Sequence, residues 1–425
     1  MVNSIENLNK LQLIRISTCG SVDDGKSTMI GRLLYECGAI FDDNFLALEK
    51  ISQKKGFEEI DFSLLLDGLS AEREQKITID VAYRYFTTQK RRFVISDVPG
   101  HEQYTRNMVT GASTSSVALI LIDARNGSLL QTYRHFFISH ILSLSTIIVC
   151  MNKMDIIGYE EQRYLSLVRE LSSFARRIGF PLAKLIFIPI SASLGDNVTT
   201  LSENTSWYKG KPLLELLETL ELPSKHHVHP FRFQVQYILR SQRAEYHDYR
   251  GYAGKIASGT LTVGDAVTVF PARSTTTVAG INFSGQPVES AQAGESISIQ
   301  LTEDVDVSRG DMILKENDHP TFARTFGARL CWLHERNAKL RSRYLLQHGV
   351  RRLHARLDTV TSVIHPESLQ EKQDSDILAL NDIGDVIITA AQELQYDLYA
   401  ANKANGAFIL IDEATNDTVA VGIFI

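Results

Sequence analysis

Along the first half of the chain, runs of aliphatic and β-branched residues recur between longer stretches with helical spacing. Leu13–Thr18, Phe93–Ser96, Ala118–Asp123, Thr146–Met151 and Leu185–Ile190 are such runs, and their alternation with helix-like segments predicts an α/β domain. The texture changes at Leu222–Pro230, a short connector bearing Pro and His. Beyond it, strand-length apolar runs are separated by Gly or Asp turns, as in Ala257–Asp265, Ala291–Leu301 and Ser308–Leu314, which predicts an all-β second half. A further break at Glu316–Pro320 precedes alternating segments that run on without a helical pattern. The expected organisation is an α/β domain over 1–224 and two small β-barrels over 228–318 and 319–425.

Composition narrows the class. A chain of 425 residues and 47.6 kDa has room for about three domains. With 44% hydrophobic residues, 26 Gly and 10 Pro it carries no sign of collagen or low complexity. The net charge of −6 excludes a surface that attracts polyanions everywhere, so phosphate binding must be local, and a nucleic-acid partner is not expected. Cys19, Cys37, Cys150 and Cys331 show no CxxC pairing and read as reduced, buried thiols. Met1–Lys10 is polar, and no apolar run approaches the ~18 residues of a membrane span. The expectation is a cytoplasmic protein without membrane contact.

The chemistry is concentrated after the strand-like runs. Gly20-Ser21-Val22-Asp23-Asp24-Gly25-Lys26-Ser27, followed by Thr28, fits GxxxxGK[ST] between a strand-like run and a helix-like one, the context that a phosphate-binding loop requires. Its glycines let backbone N–H groups turn toward phosphate oxygens and the helix N-terminus adds its dipole. Lys26 reaches the β- and γ-phosphates and the Ser27 hydroxyl ligates Mg²⁺. Asp97-Val-Pro-Gly100 ends another run, placing a carboxylate for the Mg²⁺ shell and a glycine N–H for the γ-phosphate. Asn152-Lys153-Met-Asp155 is an NKxD element. The Asp155 carboxylate accepts the two N–H donors of guanine, a pair adenine does not present, while Asn152 and Lys153 brace the base and the phosphate loop. Ser191 and Ala192 then supply a backbone N–H for the guanine oxygen.

These four elements, with Ile77-Thr78-Ile79 and His101 directly after the DxPG glycine, resemble the translation-factor GTPases. The resemblance implies an elongation-factor-like architecture, a P-loop GTPase domain followed by two β-barrels, binding GTP or GDP with Mg²⁺. It implies that Thr78 completes the Mg²⁺ and γ-phosphate shell and that His101 orients the attacking water; a surface histidine on a turn is the alternative for His101. Within that group the chain is more similar to the GTPase subunits of bacterial sulfate adenylyltransferases. This rests on Gly20–Thr28 with Asp24 where elongation factors have histidine, on Leu65–Gln75, His101–Ser113, Phe231–Tyr237, Arg250–Gly254 and Gly406–Asn416. That resemblance implies a catalytic ATP-sulfurylase partner, on which GTP hydrolysis drives formation of adenylylsulfate and pyrophosphate from ATP and sulfate. The end at Ile425 leads to the expectation that no adenylylsulfate kinase domain is fused. Two alternatives stay open, an elongation-factor-like carrier of aminoacyl-tRNA and a scaffold whose switch no longer turns over, for which Lys76 in place of the usual glycine is the reason.

Weaker features have plainer readings. His226, His227 and His229 read as connector polarity in preference to a metal site. The basic stretch Arg336–Arg356 reads chiefly as a solvated or interdomain face, with a partner surface and, behind it, a nucleic-acid track as the alternatives. Arg73 reads as a solvated switch charge that has the γ-phosphate within conceivable reach.

Overall fold

The computed structural model describes residues 11–40, 62, 80–222, 229–240, 250–318, 320–366, 371–373 and 377–425. Two compact units emerge, Met1–Pro223 with Pro366–Leu369, and Ser224–His365 with Gln370–Ile425.

In the first unit the elements run β1 (Leu13–Cys19), α1 (Lys26–Glu36), β2 (Ala82–Thr87), β3 (Arg92–Asp97), α2 (Thr105–Ser113), β4 (Val117–Asp123), α3 (Leu130–Ile141), β5 (Thr146–Asn152), α4 (Glu161–Arg177), β6 (Leu185–Pro189) and α5 (Leu213–Thr219). They form one sheet in the order β2-β3-β1-β4-β5-β6, parallel throughout except for the antiparallel β2–β3 pair. Every residue of β4 and β5 is buried, as expected of central parallel strands covered on both faces. On one face Met29, Ile30 and Leu33 of α1 and Leu213 and Leu217 of α5 share a core with Ile14, Ile16, Leu119 and Ile148. The rings of Tyr133 and Phe136 on α3 pack against Phe174 of α4.

The strand order reverses around β1, because β3 lies on one side of it and β4 on the other. Such a switch point leaves a crevice at the carboxyl ends of the strands, where open α/β sheets bind ligands. The register levels those ends, with Thr18 opposite Asp97 and Asp123 opposite Asn152. Sequence patterning overlooked β2. Its exposed Tyr83 and Tyr85 alternate with Arg84 and the buried Phe86, and an edge strand of that kind carries no continuous apolar run.

The second unit contains two closed six-stranded rings. In the first, Ala266–Phe270, Met312–Lys315, Arg232–Gln234, Arg250–Ser258, Ser296–Leu301 and Ser274–Phe283 pair in turn, and the last pairs back to the first. In the second the ring is Arg343–His348, Ala407–Ile411, Thr418–Phe424, Thr321–Trp332, Ile383–Tyr396 and Arg351–Ile364. Closure removes free sheet edges from each ring. Phe233, Ile256, Val267 and Ile299 fill the first interior, and Phe326, Leu346, Ile388 and Phe424 the second.

A buried polar cluster joins the two rings. Arg232, from the first, is 1% exposed and grips Asp397 after the second ring's Ile383–Tyr396 strand through two hydrogen bonds, of 2.9 and 2.8 Å. Asp397 also accepts from the amides of Asn402 and Asn405 at 2.8 and 3.0 Å, and Asn402 donates to Ser258 at 2.9 Å. Each charge is therefore compensated by a partner and by further donors, the condition under which a buried ion pair is tolerated.

In the basic stretch, Arg351, Arg352 and Arg356 donate to Gln392, Gln347 and Asp358 of the same ring, as on a solvated face. Cys19 and Cys150 are buried as expected, whereas Cys37 and Cys331 are only half-buried, and none forms a disulfide. Among the described residues no helix is long and apolar enough to cross a membrane.

Arg232→Ala leaves the Asp397 carboxylate buried without its cation and is expected to cost about 3–5 kcal/mol. The measurement is the urea transition followed by Trp332 fluorescence in a Trp207→Phe background, and a loss below about 1 kcal/mol would contradict this role for the pair.

Candidate nucleotide-binding site

The loop Gly20–Gly25 leaves the end of β1 and enters α1, whose first residue is Lys26. Gly25 caps the helix at φ +89°, and a β-carbon there would run into the Asn152 side-chain amide. Only glycine fits that turn. The Lys26 ammonium is buried and donates to the carbonyls of Gly20 and Ser21 at 3.1 and 2.7 Å. Burial pulls its pKa below the ordinary lysine range, against the opposing fields of Asp97 and Asp24. Asp24 is turned inward. Its carboxylate accepts the Ser21 N–H at 2.6 Å and the Asp123 N–H at 3.3 Å, and burial raises its pKa. Ser27 and Thr28 stand half-buried at the start of α1, and Val22 and Asp23 are exposed at the loop's outer turn.

Asp97, at the end of β3, is 2% exposed and accepts from the Thr18 hydroxyl at 3.4 Å. Gly100 abuts the phosphate loop so closely that a β-carbon there would strike the Lys26 ammonium and the Gly20 carbonyl. His101 follows, half-buried, its Nδ1 accepting the Gln103 N–H at 3.3 Å. Thr78, together with Lys76 and Arg73, lies outside the described residues, as do His226 and His227. No group of three or more His, Cys, Asp or Glu able to hold a metal occurs among the described residues.

The Asn152–Asp155 and Ser191–Ala192 segments interlock with the Gly20–Gly25 loop. The Asn152 amide donates to the Asp24 carbonyl at 2.8 Å, and its oxygen accepts the Ala192 N–H at 2.9 Å. Lys153 donates to the Asp23 carbonyl at 2.5 Å and pairs with Asp123 at 2.9 Å. Ser191 is buried, and its hydroxyl accepts the Leu194 N–H at 3.3 Å. Asp155 is different. Its Oδ1 is buried with no hydrogen-bond partner, and a buried carboxylate oxygen left so is costly unless a ligand supplies the donor. The hydroxyl of Ser21 is likewise buried and unpartnered.

Sequence reasoning passed over four contributors. Asp123, last residue of β4, is gripped by Arg125 at 3.0 and 2.6 Å as well as by Lys153. Burial opposes its charge, but the Arg125 and Lys153 bonds outweigh that and hold its carboxyl well below the ordinary range. Its place at a strand end, like that of Asp97, was the available signal. Tyr159 and Asp196 share a 2.5 Å hydrogen bond that ties the segment after Asp155 to the one after Ser191. His135 on α3 accepts the Gly20 N–H at 3.1 Å, and nothing local in the sequence marks it.

A family model, the elongation factor Tu GTP binding domain, matches residues 11–221, and a GTP-eEF1A C-terminal domain-like model matches 325–425. Sulfate adenylyltransferase subunit 1 of Colwellia psychrerythraea is 43% identical over 97% of this chain and 87% of its own length. The same subunit of Bacteroides fragilis is 43% identical over 97% and 86%. The bifunctional enzyme CysN/CysC of Mycobacterium tuberculosis is 42% identical over 97% of this chain and 67% of its own. Among solved structures, the S. cerevisiae Ski7 GTPase-like domain bound to GTP covers 100% of this chain and 99% of its own, at TM-score 0.53 and 16% identity, which speaks to the fold.

Asn152→Ala removes the acceptor of the Ala192 N–H and the donor to Asp24 together, and is expected to lower the stability of the first unit by about 1–3 kcal/mol. Thermal melts would check it, and an unchanged melting temperature would contradict it. The Asp123 pairing has a pH signature. Because its folded-state pKa lies below the unfolded value, the stabilisation is complete above about pH 5 and is lost as pH falls further. The melting-temperature advantage over Asp123→Asn should be constant from about pH 8 to 5 and shrink below about pH 4.

Proposed function

The chain belongs to the sulfate adenylyltransferase subunit 1 family and carries its GTPase domain, and on that premise we propose that it binds GTP at the carboxyl edge of the parallel sheet and hydrolyses it to drive sulfate adenylylation on a separate catalytic ATP-sulfurylase subunit. The observation that carries the nucleotide assignment is Asp155. Its neighbours Asn152 and Lys153 are committed to protein partners, while Asp155 Oδ1 is buried and unpartnered. A carboxylate so placed is an acceptor for the paired N–H groups of guanine, whereas the Ser191 and Ala192 N–H groups expected to meet the guanine oxygen are given to the Asp196 carbonyl and the Asn152 amide oxygen.

At the other end of the site the phosphates meet the loop N–H groups, the α1 N-terminus and the Lys26 ammonium. The donors available to a cation fit Mg²⁺. They are the Ser27 hydroxyl and the Asp97 carboxylate, hard oxygens too few for a protein cage, which is how Mg²⁺ is held when phosphates complete its shell; Thr78 is proposed as a further ligand. When bound, Mg²⁺ neutralises charge on the β- and γ-phosphate oxygens. Gly100 brings its N–H to the γ-phosphate because no β-carbon blocks the approach. His101 orients the water whose oxygen attacks the γ-phosphorus, as the bond to the GDP oxygen breaks and inorganic phosphate leaves. Nδ1 of His101 faces the Gln103 N–H, so Nε2 is the nitrogen available to that water. Sulfate adenylylation itself, in which a sulfate oxygen displaces pyrophosphate from ATP, belongs to the partner.

Asp155→Asn should weaken GTP and improve xanthosine triphosphate, whose extra carbonyl accepts from the introduced amide; competition binding measures both, and unchanged GTP affinity would overturn the guanine assignment. Hydrolysis by the isolated chain should be slow and rise by about 10³–10⁵ when the catalytic subunit binds. His101→Ala should abolish that rise and keep GTP binding. An isolated chain already turning over at the rate of the complex would contradict the coupling.

A further inference from the structure

Gly20, the first residue of the phosphate loop, is held from both sides. Its φ is +144° and a β-carbon there would meet the Leu121 carbonyl oxygen at 2.7 Å, so its peptide has little freedom. The carbonyl accepts from Lys26 Nζ at 3.1 Å. The N–H donates to Nδ1 of His135 at 3.1 Å, from a helix 115 residues further along the chain. His135 is buried to 1% exposure, and its own carbonyl accepts from the Ser139 hydroxyl at 2.7 Å. A position of this burial between packed helix and sheet is ordinarily filled by an aliphatic or aromatic residue. An imidazole there carries a desolvation cost that is balanced only if it serves a buried partner, and that partner is the Gly20 N–H.

We infer that His135 is a positioning residue of the phosphate loop: by accepting the Gly20 N–H it fixes the peptide that enters Gly20, the residue whose own carbonyl, one peptide further on, holds the Lys26 ammonium, and so sets the grip on the nucleotide phosphates. This rests on the reading of Gly20–Ser27 as a GTP site. Nδ1 must be bare to accept, so the ring is the neutral tautomer with its proton on Nε2. Burial first, then the charges of Lys26 and Arg134, bring its pKa down to about 3, and it stays neutral across the physiological range.

The test uses the full chain with a fluorescent GDP. His135→Leu keeps bulk but leaves the Gly20 N–H without an acceptor, while His135→Asn places Oδ1 close to the position of Nδ1. The Leu variant is expected to release GDP about tenfold faster or more, and the Asn variant to return to within about threefold of wild type, the range set by leaving or restoring one buried donor. Preference for GDP over xanthosine diphosphate, a property of the base side, should not change in either. Wild-type release by the Leu variant, or Asn as fast as Leu, would overturn the role. If the Leu variant does not fold, ¹⁵N resonances of the wild-type ring decide: an unprotonated Nδ1 at pH 6 supports the hydrogen bond, and a protonated Nδ1 overturns it. A wild-type chain that binds no guanine nucleotide would be the failure of the site reading itself, visible before any substitution is made.

Discussion

The amide of Asn152 is the contact on which the site depends. One side chain donates to the phosphate-loop carbonyl of Asp24 and accepts the N–H of Ala192, so loops from the ends of β1, β5 and β6 share a single buried fastening. The parallel sheet makes this possible, because its register brings the carboxyl ends of neighbouring strands level. Around it Lys153, Asp123 and Arg125 form a compensated charge cluster. Those side chains are consumed in building the frame. Asp155 Oδ1 and the Ser21 hydroxyl are buried and unpartnered, which leaves them as the free valences of the proposed site.

The second unit applies the same economy to a different end. Two rings with separate apolar interiors meet over Arg232 and Asp397, a buried pair whose remaining valences are met by Asn402, Asn405 and the Phe231 carbonyl. Apolar contact between two barrels is compatible with many orientations. A bidentate arginine–carboxylate pair adds a geometric constraint that apolar contact lacks.

Much of this was legible in the sequence, for stated reasons. The strands that follow a strand–loop–helix rhythm were readable because central parallel strands are apolar along their length, and the phosphate loop and NKxD element because their chemistry is local in sequence. The barrels showed as turn-punctuated apolar runs, but not which strands pair to close them, since the pairing of Ala266–Phe270 with Ser274–Phe283 and with Met312–Lys315 depends on tertiary packing. β2 was missed because Tyr83 and Tyr85 face outward on an edge and only Phe86 turns to the core. His135 was missed because its partner lies 115 residues away. Arg232 was missed because an arginine in a strand reads as exposed until its carboxylate, 165 residues distant, is seen. What sequence pattern conceals is the long-range polar contact.

The carboxyl edge of the first unit's sheet is proposed as a guanine-nucleotide site built around Asp155. Calorimetric titration of the purified wild-type chain with GDP and with ADP, in Mg²⁺, tests it most directly. One GDP should bind per chain and ADP should bind about 10⁴-fold more weakly, the discrimination available when a buried acceptor is left without its donor. Comparable binding of the two nucleotides, or none of either, would contradict it.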